Sequence, residues 1–167
     1  MSSFKPFAAA CAALLTLALP SAASAASCPG ADLQPNHGDF FAVADDATLC
    51  LLNEQRAAHG LSALRPGPES LAAPARLYAQ DLVTRRFFAH VSPDGVTLAQ
   101  RLAAYAVGSD WAIGENLAWG EAGLATPASI VDAWMKSPGH RANILNGEFK
   151  EIGIGVVPGA PKNDAYL

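Results

Sequence analysis

"TPASIVDAWMKSPGHRANIL", residues 126–145, carries the same helix-start signal twice. Thr126-Pro127 and Ser137-Pro138 each put a hydroxyl side chain at a cap position and a proline at the first helical position, where its missing N–H costs nothing. In the first helix Ile130, Val131, Trp134 and Met135 form one buried face. The second helix is short, with Ile144 and Leu145 inward and His140 near its start. Two consecutive helices with such faces need another layer to pack against.

Upstream, Leu71, Ala75, Tyr78 and Leu82 recur at helical spacing between Ser70 and Phe87, with Arg76, Gln80 and Arg85 on the water side. Before that, Asp45-Asp46 is placed to cap a helix whose stripe is Leu49, Leu52 and Ala57 and whose stop is Gly60. Leu61 to Pro68 reads as a connector. Thr97 is placed to cap a short helix with Leu98, Leu102 and Tyr105 inward, broken at Gly108 to Asp110.

Two stretches break the helical pattern. Ile113 to Trp119 is short and apolar, and its periodicity fits either a strand or a buried turn of helix. Ile152-Gly153-Ile154-Gly155-Val156 alternates side chains with glycine, which predicts a strand whose bare face lets a neighbouring backbone approach. Helices followed by late strands predict a layered α/β domain.

The first residues read as a secretory leader: one charge, Lys5, an apolar run from Phe7 to Leu19, then Ser21 to Ala25 with cleavage expected after Ala25. The run is too short to span a bilayer, which takes roughly 20 apolar residues. Secretion is therefore expected, with no transmembrane segment after cleavage. Residues 26–46 read as an irregular N-terminal arm and 47–167 as the domain proper. The net charge is −4, falling to −5 once Lys5 is removed, and there is no basic run, so nucleic acid is excluded as a partner.

Of the three cysteines, Cys11 leaves with the leader. Cys28 and Cys50 remain as an even pair, read as one disulfide tying the arm to the first helix; metal binding or lipidation at Cys28 are the weaker readings.

The histidines are His37, His59, His90 and His140. His37 lies in the polar arm, and His59 sits at a helix stop, where a cationic side chain suits the dipole. His90 in "FFAHVSPDG" and His140 in "SPGHRANIL" lie at element ends beside Pro or Gly, positions from which rigid scaffolds present functional side chains. Glu115 in "GENLAWG" is the matching acid. Two imidazoles and a carboxylate suit either a divalent cation such as zinc or acid–base exchange. The three residues form no local chelate, and satisfied histidines with a backbone-bonded glutamate are the competing structural reading.

Five blocks in order decide the resemblance: "LLNEQRAAHGLSAL", "AQDLVTRRFFAHVSPDG", "IGENLAWG", "IVDAWMKSPGHRANIL" and "FKEIGIGVV". Together they resemble the CAP superfamily of cysteine-rich secretory, antigen 5 and pathogenesis-related proteins, and its bacterial secreted members most. The resemblance implies an α-β-α sandwich with a central antiparallel sheet between helices, and a cleft in which His90, Glu115 and His140 are the site residues. Two departures stand out. Many eukaryotic members carry a second glutamate three residues after the helix tryptophan, where this chain has Ser137. Members also end on a strand of the form Y-x-T-x-x-F-G, whereas this sequence reads Ala165-Tyr166-Leu167, so the last strand is expected to be incomplete.

Functionally, these features favour a monomeric secreted binding module. Its cleft would take a divalent metal, a small apolar or lipid ligand or a cell-envelope component, with Trp119 as a floor contact. No cofactor is specified beyond zinc or another divalent metal as the candidate. The alternative is a hydrolase of peptide or cell-wall material, metal-assisted or using His/Glu acid–base chemistry. A serine mechanism is disfavoured, because Ser92 before Pro93 reads as a turn residue and Ser137 before Pro138 as a helix cap. A third reading treats the fold as an interaction surface with a vestigial cleft. Trp134 reads as core and Trp111 as partly exposed.

Overall fold

The computed structural model describes residues 28–107 and 111–161. The expected leader, the expected helix break at Gly108 to Asp110 and the expected incomplete last strand at 165–167 lie outside the described residues.

The described residues form five helices and two short strands: α1 Phe40–Ala58, β1 Arg65–Pro66, α2 Glu69–Arg85, α3 Leu98–Arg101, α4 Pro127–Lys136, α5 Pro138–Ile144 and β2 Glu151–Ile152. A 3-10 turn, Ala122–Ala125, leads into α4. Among the described residues no helix is long and apolar enough to cross a membrane.

The expected N-terminus of α1 is corrected. The helix begins at Phe40, and Asp45 and Asp46 lie inside it rather than capping it. Phe40, Ala44, Ala47 and Thr48 extend the buried stripe of Leu52 by more than a turn, so burial of the Phe40 face outweighs the local cap signal. The other helix signals read correctly. Thr126 accepts a hydrogen bond from the Ser129 N–H, and Thr97 and Gln100 form a reciprocal capping box at α3. Ser137 sits at the N-cap of α5, but its side chain makes no cap hydrogen bond. The cysteine pairing also holds, with Cys28 and Cys50 joined by a disulfide.

Leu52 of α1, Val131 of α4 and Ile144 of α5 form the central core, with Leu51, Trp134, Met135, Leu145 and Ile152 packed on it. Beside it lies Arg56, only 1% exposed. Its guanidinium donates to the carbonyls of Ser62 (2.9 Å), Ile144 (2.7 Å), Asn146 (2.9 Å) and Phe149 (3.3 Å). One side chain thereby ties the end of α1 to the end of α5 and to the approach of β2. Burial lowers its pKa from the ordinary guanidinium value.

Asn53 makes a second staple, donating to the Leu64 carbonyl (2.9 Å) and accepting from the Leu64 N–H (2.7 Å). This delivers β1 to β2, which it pairs in parallel with Arg65 opposite Glu151 and Pro66 opposite Ile152.

The structure is thus mixed and helix-rich with a small sheet, and the expected central antiparallel sheet is not seen among the described residues. No backbone–backbone hydrogen bond there joins Ile113–Gly120 to Gly153–Val157. Both stretches instead line one cavity of about 1410 Å³, together with apolar side chains of α1, α2 and α4. The strand expected over Ile152–Val156 is corrected: only Glu151–Ile152 pairs as strand and residues 153–157 are irregular. The glycine spacing does give close approach, since a Cβ at Gly155 would lie 2.5 Å from the Arg76 nitrogen and one at Gly153 would collide with the Leu71 carbonyl. The bare face of the stretch rests on the backbone of α2.

Candidate functional site

The "GENLAWG" stretch, residues 114–120, is neither strand nor helix. Side chains hold it in place of a ladder. Asn143 of α5 donates to the Glu115 carbonyl (3.2 Å) and to Asn116 Oδ1 (2.9 Å). Trp134 Nε1 donates to the Leu117 carbonyl (3.1 Å), and Asn116 Nδ2 to the His140 carbonyl (3.1 Å). Gly114 leaves room for Phe149, whose Cζ would lie 2.9 Å from a Cβ there. Because these bonds come from α4 and α5, the helix pair fixes the backbone that carries Glu115.

The Glu115 side chain is 14% exposed. One oxygen pairs with His90 Nδ1 at 2.8 Å, and the other pairs with Arg101. A carboxylate only accepts, so in neutral His90 the proton lies on Nδ1 and Nε2 is left as a free acceptor. The His90 side chain is 60% exposed, so that nitrogen is open to water and ligands.

Arg101 is the hub of the arrangement. It bonds Glu115 and donates to the carbonyls of His90 (3.1 Å) and Val96 (3.3 Å). Its guanidinium carbon also sits 3.4 Å from the Tyr78 ring centroid. A planar fork stacked on an aromatic face loses little freedom when it bonds, which makes it a rigid clamp. Tyr78 donates to the Ala89 carbonyl (2.8 Å), next to His90, and burial raises the Tyr78 pKa so that the hydroxyl stays a donor. The loop beyond His90 is closed by the Val96 N–H on Ser92 Oγ (2.9 Å), as expected for a turn serine.

His140 joins this network through its backbone. Its carbonyl accepts from Asn116, and its ring lies 6.4 Å from that of Trp134. Among the described residues the set of three donors that lie mutually close is Cys28, Cys50 and Glu54, with both sulfurs bonded to each other; His90, Glu115 and His140 are not such a set. Both oxygens of Glu115 are engaged, one by His90 and the other by Arg101. Glu115, Arg101 and Trp119 line the large cavity, whereas His90 and His140 do not.

Arg101, Tyr78, Asn116 and Asn143 were not among the expected site residues. Two polar asparagines set among apolar neighbours were the available signal. Arg101 gave none, because its partner lies fourteen residues away.

A family model for the cysteine-rich secretory protein family, CAP, matches residues 49–167. The chain belongs to the CAP family. Over 107 residues, 64% of the chain, this CAP protein is 38% identical to the uncharacterized protein YkwD of Bacillus subtilis, covering 40% of it. It is 34% identical to the uncharacterized membrane protein YlbC of the same organism, over 65% of the chain and 30% of that protein. It therefore spans less than half the length of either relative. Its fold resembles that of an extracellular SCP-domain protein from Bacillus anthracis, with a TM-score of 0.61 and 29% identity, covering 76% of this chain and 42% of that one.

Proposed function

We propose that this CAP domain is a secreted, monomeric binding module that meets its ligand at His90, a cell-envelope component or a small apolar or lipid molecule. The observation that carries the reading is the 2.8 Å contact of His90 Nδ1 with a Glu115 that Arg101 clamps from the other side. That geometry leaves His90 Nε2 exposed and fixed in direction. Glu115 and Trp119 connect it to an apolar cavity, and small-ligand sites typically combine such walls with a few placed polar groups. His140 serves at the same cleft by holding Asn116. An α-β-α sandwich with a central antiparallel sheet belongs to the same proposal, supported by the likeness to the SCP-domain structure.

The hydrolase reading has one feature in its favour, since an imidazole oriented by a carboxylate is how general bases are built. The nearest hydroxyl in sequence, Ser92, is buried and spent on its turn. Binding is therefore the primary reading.

Co-sedimentation with isolated cell-wall material tests it. His90→Ala and Glu115→Gln should each lower the bound fraction several-fold without unfolding the domain. Equal binding by wild type and both variants would contradict the proposal.

A further inference from the structure

Trp111 is a large aromatic left 46% exposed, and it is not isolated. Its indole nitrogen donates to the Val107 carbonyl (2.7 Å), and its ring lies 5.2 Å from Tyr105 at an interplanar angle of 52°. The Tyr105 hydroxyl donates to Glu151 Oε2 at 2.7 Å, and the other Glu151 oxygen accepts from Arg65 Nε (3.0 Å) and Nη2 (2.9 Å). The Tyr105 hydroxyl and the Arg65 guanidinium hold the Glu151 carboxyl below its ordinary pKa. All four side chains line the cavity, and among the described residues none is hydrogen-bonded or ion-paired to His90 or to the Glu115 carboxylate.

This cluster offers two kinds of surface side by side. The Trp111 indole, braced by the tilted Tyr105 ring, gives a flat apolar face whose π cloud attracts C–H groups. Next to it, Glu151 keeps free lone pairs, and Arg65, 71% exposed, keeps free N–H donors. A lipid tail would leave the ion pair unused, and a metal ion would leave the aromatic face unused. A pyranose ring uses both, because its axial C–H groups form an apolar face and its hydroxyls form a polar edge that donates to a carboxylate and accepts from a guanidinium.

We propose that Trp111, Tyr105, Glu151 and Arg65 form a glycan subsite that holds one pyranose residue, its C–H face on Trp111 and its hydroxyls on Glu151 and Arg65. The proposal rests on the binding-module reading and names its ligand class. Tyr105 follows Arg101 by four residues, so the two glutamates are gripped from one short segment.

The test is a titration of the 15N-labelled protein with chitotetraose, followed through the Trp111 indole and Arg65 side-chain N–H signals. Saturable shifts of both are expected, with affinity at least tenfold weaker in Trp111→Ala, weakened in Glu151→Gln and unchanged in Leu77→Ala, a change on the exposed side of α2. The absence of saturable shifts at these signals, or shifts that persist in Trp111→Ala, would overturn the subsite. If chitotetraose fails while Glu115-dependent binding to cell-wall material persists, the ligand class falls and the binding-module reading stands. Trp111-dependent binding together with His90 and Glu115 variants that sediment like wild type would overturn the reading and leave the glycan contact in place.

Discussion

Glu115 holds His90 by a 2.8 Å contact to Nδ1 while its second oxygen is taken by Arg101, so the acid acts behind the imidazole. The exposed group is thereby oriented by a partner that is largely shielded from water, and that partner depends in turn on an arginine 10% exposed. Arg101 should be as important to the site as Glu115.

Replacing Arg101 with Met keeps an apolar stem but removes the guanidinium that stacks on Tyr78 and leaves Glu115 with one partner fewer. Leaving a shielded polar group unsatisfied costs about 1–3 kcal/mol, so a loss of that size is expected in urea unfolding. Arg101→Lys should recover only part of it, because a point charge does not reproduce the stacked fork. Full recovery by lysine would show that charge alone suffices.

Arg56 is expected to be the most costly single position in the interior. Arg56→Met removes the donors to four carbonyls at once, those of Ser62, Ile144, Asn146 and Phe149. A destabilisation of roughly 3 kcal/mol or more follows from orphaned buried acceptors. A loss below about 1 kcal/mol would mean that water replaces the guanidinium there.

Asp45 and Asp94 should respond to pH in opposite senses. Burial raises the Asp45 pKa, outweighing the nearby Arg76 charge. The folded state therefore binds that proton more tightly than the unfolded chain, and the stabilisation is present in acid and lost as pH rises through the folded pKa. Asp45→Asn should raise the melting temperature at neutral pH and matter less in acid. Asp94 is held down to about 2 by the Ser92 hydroxyl and then by Arg85. Its contribution is present above the ordinary carboxylate range and is lost as pH falls toward about 2, so Asp94→Asn should lower the melting temperature at neutral pH and converge with wild type in strong acid. Melting curves across pH check both signs.

The two Ser/Thr-Pro starts look alike in sequence but differ in the fold. Thr126 caps its helix through its side chain and Ser137 does not. Thr126→Ala should cost about 1 kcal/mol, and Ser137→Ala should fall within about 0.5 kcal/mol of wild type. Similar losses for both would show a cap at Ser137 in solution.

The legible parts of the fold were those governed by local chemistry. Thr97 and Thr126 announced their helices, Cys28 and Cys50 their bridge, and Gly153 and Gly155 a face pressed against other backbone. What the sequence hid were long-range polar contacts. Residues 113–119 read as strand or helix because they are apolar, yet Asn143 and Trp134 hold that backbone from another layer. The start of α1 was misplaced because the Asp45-Asp46 signal is local, whereas burial of Phe40 depends on tertiary packing. Of the expected site residues, His90 and Glu115 come together directly, while His140 contributes its carbonyl and Trp119 a cavity wall. Arg101, which completes the pair, is silent in sequence because a charge shows no periodicity that reveals its partner.

The most direct test of the central claim is the ring-nitrogen spectrum of His90, recorded by 15N NMR above its titration in wild type and in Glu115→Gln. The geometry requires the Nδ1–H tautomer in wild type, with Nε2 unprotonated, and a shift toward the Nε2–H form usual for free histidine once the carboxylate is removed. A wild-type His90 that carries its proton on Nε2, or one whose tautomer is unchanged in Glu115→Gln, would contradict the account.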